Sequence, residues 1–87
     1  MRINKNLSFE NIDGQLVVMN ESDESFGNSK ALVLNQTATF IFECIKRGLD
    51  YDTIIKEIVF KFNIEQERAK EDFYECIEVF KNKRILL

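Results

Sequence analysis

Eighty-seven residues, 45% of them hydrophobic and with eight Phe, suffice for one small core without metal or disulfide staples. A net charge of −3 opposes general nucleic-acid affinity, because phosphate binding needs clustered Lys and Arg. There is no His, and Cys44 and Cys76 are far apart with no C-x-x-C spacing, which argues against a zinc site; no cofactor is expected. Both cysteines lie inside apolar helical patterns and are expected to be buried free thiols in a reducing cytosol. Residues 1–6 carry no apolar signal-peptide core, and no segment approaches the ~20 apolar residues of a membrane span. A soluble, cytoplasmic protein of one domain over residues 1–87 is therefore expected.

In chain order, Leu7-Ser-Phe-Glu-Asn-Ile12 begins with apolar alternation at Leu7 and Phe9, and Asp13-Gly14 supplies a turn signal before a second β-rich run at residues 15–19. These two runs predict a hairpin. The polar stretch over residues 20–28, with three acids and Gly27, predicts a solvated loop. Lys30-Ala31-Leu32-Val33-Leu34 predicts a third strand. Asn35 is a good N-cap for a helix over 36–47 with Ala38, Ile41, Phe42 and Ile45 as its apolar stripe, stopped at Gly48. A second helix opens at Asp50 or Asp52, carries Ile54, Ile55, Ile58, Val59 and Phe62 at helical spacing, and ends at Asn63. A third spans about 65–82, with Ala69, Phe73, Cys76, Ile77 and Phe80 on one stripe. The order β-β-β-α-α-α with short helix links predicts an α+β fold resembling winged helix-turn-helix domains: a three-stranded antiparallel sheet followed by three helices.

Nucleophilic catalysis needs a nucleophile and a base to activate it, and neither Ser-x-x-Lys nor Gly-x-Ser-x-Gly occurs. The carboxylates Glu65, Glu67, Glu71, Asp72, Glu75 and Glu78 fall mainly on the polar faces of one helix and read as solvated surface. Three scattered glycines build no phosphate loop, so the chain is not expected to be an enzyme. A winged-helix DNA-binding or regulatory protein is the alternative. Its reading helix would carry six acids against Arg68 and Lys70 over residues 65–80, a net −4 that phosphates repel. The basic cluster Lys81, Lys83 and Arg84 lies beyond that span. An interaction or dimerisation module without a peptide role is a third reading.

Recognition by backbone and pocket remains. An open strand edge presents N–H and C=O groups to which an extended peptide can add. The third strand, Lys30 to Leu34, supplies such an edge, and one flank of the third helix supplies pockets. Arg68, Asp72, Cys76 and Val79 lie along one flank of the apolar stripe; Lys70, Tyr74 and Lys81 lie along the other. The first is favoured, since Cys76 and Val79 give an apolar floor beside a charged pair. The plainer alternative puts Cys76 in the core and makes Arg68 and Asp72 an i,i+4 surface pair. Leu32→Pro is expected to abolish docking, and an unoccupied edge allows weak homodimers.

The same residues carry a family resemblance. From about residue 14 to 87 the chain resembles the PqqD-like family, the peptide-chaperone domains also called RiPP precursor recognition elements. The most specific piece is Leu34-Asn35-Gln36-Thr37-Ala38; the paired isoleucines with Lys56-Glu57-Ile58, Glu71-Asp72-Phe73 and Ile85-Leu86 are more generic. Arg84 stands where the family often has Gly, and Asp50-Tyr51-Asp52 replaces a more usual Thr at the opening of the second helix. The resemblance implies a non-catalytic domain that binds the leader segment of a ribosomally made precursor peptide and presents it to a separate modifying enzyme or leader peptidase. It also implies that the leader adds to the third strand and lies beside the third helix. At 87 residues the chain resembles the family's free-standing form.

Overall fold

A computed structural model describes residues 2–19 and 31–87. The loop expected over 20–28 and Lys30, expected in the third strand, lie outside the described residues. Three strands, β1 (Ser8–Ile12), β2 (Gln15–Met19) and β3 (Ala31–Val33), precede three helices, α1 (Gln36–Lys46), α2 (Tyr51–Phe62) and α3 (Gln66–Asn82). Both strand pairs are antiparallel and the sheet order is β1-β2-β3, so β3 is an edge strand. This is the expected fold.

The hairpin follows from its turn. Asp13 and Gly14 both take positive φ, 53° and 81°, as a two-residue turn matched to strand twist requires, and the Asn11 Oδ1 accepts the Gly14 N–H at 3.1 Å. Ile12 thus pairs with Gln15. Along β2 the alternation turns Leu16 and Val18 into the core, where Val18 is fully buried. Thr39 of α1 ties the sheet to the helices: its Oγ1 accepts the Leu16 N–H at 3.1 Å and donates to the Leu34 carbonyl at 3.3 Å. A buried hydroxyl satisfied on both sides fixes the corner from which α1 departs.

The helix starts follow the sequence. The Asn35 side chain accepts the Ala38 N–H and that of Asp50 the Thr53 N–H, both at 2.8 Å, so Asp50 is the cap of α2. Asn63 closes α2 in the left-handed region at φ 53°. Asn35→Ala is expected to cost about 1 kcal/mol, measurable as a lower denaturant midpoint with unchanged slope. The α1 stripe differs from expectation: Ala38 and Ile45 are only half-buried, while Thr39 and Cys44 turn fully inward with Ile41 and Phe42. The sheet meets α1 through Thr39, so the buried face narrows to Thr39 at one end and Cys44 at the other, around Ile41 and Phe42.

The chain ends are joined, a feature the sequence does not announce. Arg84 takes φ 58°, and the Ile85 and Leu86 N–H groups return to the Phe80 carbonyl at 2.8 and 3.1 Å. Ile85 and Leu86 are thereby buried. Ile3 bridges Leu86, while buried Asn4 donates its N–H to the Ile85 carbonyl and its Nδ2 to the Arg84 carbonyl, both at 2.9 Å. Arg84 thus occupies the left-handed position that Gly fills most easily.

Candidate functional site

Among the described residues the sheet ends at β1 and at β3, and β3 faces α3 across a shared groove. Between them lies a groove of about 430 Å³. Leu32, Val33 and Leu34 form one side; Arg68, Asp72, Cys76 and Val79 form the other. The structure therefore gathers seven of the nine predicted residues in one groove. Ala31 belongs to β3 but not to the lining, and Lys30 is outside the described residues. The sequence reading missed Asn35, Thr37, Ala38, Glu75 and Phe80, which complete the lining. Asn35, Thr37 and Ala38 belong to the Leu-Asn-x-Thr-Ala piece: Leu34 anchors it, Asn35 caps the helix, and Thr37 and Ala38 face the groove.

Backbone direction along β3 follows from register. The Leu34 N–H donates to the Leu16 carbonyl at 2.8 Å, so alternation turns Leu32, opposite Val18, toward β2 as well. Val33 then directs its N–H and C=O to the outer edge, where no strand pairs with β3 among the described residues. Its side chain is 59% exposed. This corrects the Leu32→Pro expectation. Proline there removes a donor from the β2–β3 ladder and damages the fold, so a loss of binding would not report on docking.

The other flank of α3 is a neighbouring surface that shares Glu75 with the groove. Lys70 and Tyr74 line a shallow depression with Glu67, Glu71, Glu75 and Glu78, while Lys81 lines neither. In the groove, the Arg68 Nε approaches the Asp72 Oδ1 at 3.4 Å, an exposed i,i+4 pair of small energetic value. Both halves of the plainer sequence alternative are thus present together with the groove: the ion pair exists, and Cys76 touches the core.

Cys44 is fully buried as expected, but Cys76 is only half-buried because its other side lines the groove. Burial pushes the Cys76 thiol up to about 12, and burial also raises Cys44. Cys76 is accordingly a neutral, apolar part of the floor rather than a reactive thiolate. Alkylation of Cys76 at pH 8 is expected to run on the order of a thousandfold slower than for an unperturbed thiol, by mass spectrometry. The raised thiols also set a sign for stability. The unfolded chain releases these protons first, so stability falls as pH rises from 9.0 toward about 12. Cys76→Val flattens that limb.

Among the described residues there is no group of three or more His, Cys, Asp or Glu placed to hold a metal ion, and no helix long and apolar enough to cross a membrane.

Fold and groove together define a small winged-helix-like α+β domain in which β3, with no strand on its outer side among the described residues, borders a groove with α3. The family model described as coenzyme PQQ synthesis protein D (PqqD) matches residues 15–86, and the chain belongs to that family. Among solved structures, TbiB1 in complex with the TbiA(β) leader peptide superposes with a TM-score of 0.82 at 16% identity, covering 99% of this chain and 94% of that one. At that identity the likeness is one of fold. No curated protein matches the chain.

Proposed function

We propose that this PqqD-family domain is a non-catalytic binding protein for the leader segment of a ribosomally synthesised precursor peptide, which it presents to a separate modifying enzyme or leader peptidase. The observation that carries the reading is the outward backbone of Val33 on an edge strand that borders the groove with α3. A leader adding there forms a fourth strand, with main-chain hydrogen bonds to β3 and side chains directed alternately into the groove. Because β3 is only three residues long, backbone pairing supplies few bonds. The apolar floor of Leu32, Ala38, Cys76, Val79 and Phe80 must supply the rest. The fold shared with TbiB1, solved with a leader peptide, supports a leader-binding role for the domain.

The test is fluorescence anisotropy with a labelled leader from a precursor encoded beside the gene. Saturable binding of the leader and none of the core peptide is expected. Equal binding of leader and core would refute leader recognition. The DNA-binding alternative is disfavoured by charge, since α3 carries Glu67, Glu71, Asp72, Glu75 and Glu78 against Arg68, Lys70 and Lys81. Tight binding of generic duplex at low salt would restore it.

A further inference from the structure

Among the described residues three charged side chains line the groove, and two of them offset each other in formal charge: Arg68 is paired with Asp72 at 3.4 Å. Glu75 stands on the rim with no such partner, so the described lining carries one uncompensated negative charge. Its place along α3 gives that charge a register. Glu75 lies one helical turn before Val79, which is 45% exposed in the groove, an axial separation of about 6 Å. Two residues of an extended chain span about 6.6 Å, and residues two apart face the same side.

Resting on the leader-binding reading, we propose that Glu75 determines specificity in this groove, selecting an extended segment with a Lys or Arg two residues from an apolar anchor. The anchor seats on the floor formed by Leu32, Cys76, Val79 and Phe80, while the cation meets the Glu75 carboxylate at the rim. An acidic residue at the same place faces both Glu75 and the general negative charge of α3 and is rejected. Arg68 does not reverse this, because it lies two turns of α3, about 10 Å along the axis, from Glu75.

The experiment pans a displayed library of random short peptides against the wild-type domain and against Glu75→Lys, an exposed position where the fold is indifferent to the change. Peptides retained equally by Val33→Pro, which lacks the outward amide, are discarded as not groove-bound. The wild-type domain is expected to enrich an apolar residue with Lys or Arg two positions away, and Glu75→Lys to enrich Asp or Glu there. With synthetic winners, exchanging the cation for Glu weakens wild-type binding about three- to tenfold at low salt, less at high salt, and reverses in Glu75→Lys. Winners that share an apolar anchor but are indifferent to charge in both proteins overturn the role of Glu75 alone. If no peptide depends on the Val33 amide, the groove reading itself fails, and the selectivity of Glu75 with it.

Discussion

Val33→Pro is expected to abolish useful leader affinity while leaving the domain folded. The Val33 N–H points to the outer edge of β3, whereas Leu32 and Leu34 face β2. Proline is tolerated on an edge strand where its missing donor faces solvent, and its neighbour Leu32 is already extended as a pre-proline residue requires. In the complex the same change leaves a leader carbonyl without its donor and places the ring where the strand must approach. An unsatisfied partner in a desolvated pairing costs about 1–3 kcal/mol, or roughly 5- to 150-fold in affinity. Circular dichroism and a near-unchanged melting temperature establish folding; anisotropy reads the affinity. Val33→Ala keeps the amide and is expected to bind within about threefold of wild type, which separates backbone from side chain. Full affinity in folded Val33→Pro would remove the docking site from this edge.

Phe80→Ala is expected to produce the largest loss of stability. Phe80 is fully buried, packs edge-on against Phe42 with ring centroids 6.1 Å apart, and floors the groove from beneath. Its carbonyl also receives the Ile85 and Leu86 N–H groups that fold the terminal residues back. Truncation leaves a cavity where α3 meets α1, at a cost of about 3–5 kcal/mol. Against the ~5–15 kcal/mol total of an ordinary domain, much of the stability is lost. The melting temperature should fall by roughly 15–30 °C in a chain of this size. A loss below about 1 kcal/mol would contradict the core as described. The groove and the core share this ring, so the working surface is only as rigid as the packing beneath it.

The fold was legible because local signals agreed with one another. Asp13-Gly14 marks the hairpin, Asn35 and Asp50 cap α1 and α2, and Asn63 stops α2, each through chemistry that acts within a few residues. The helical wheel of α3 likewise placed Arg68, Asp72, Cys76 and Val79 on one flank, and they do line one groove. What escaped depends on distant pairing. Ile3 bridges Leu86 across the length of the chain, and a lone apolar residue among polar ones carries no periodic signal. Which amides of β3 face outward is fixed by register with β2, which is why Leu32 looked as good a target as Val33. Glu75 read as one more solvated acid because no wheel shows how near β3 lies. Cys76 read both as a buried thiol and as groove floor because its wheel position borders the apolar stripe, and it is half-buried between the two.

The most direct test is amide mapping of the complex by NMR. On saturation with the leader, the Val33 amide is expected to shift and its hydrogen exchange to slow markedly, as a newly bonded strand amide requires. Shifts should extend to Arg68, Asp72, Cys76 and Val79, while Lys70 and Tyr74 on the opposite flank stay in place. A bound leader that leaves residues 31–34 unshifted and Val33 exchanging freely, with changes on β1 or on the Lys70–Tyr74 face instead, would contradict strand addition at β3.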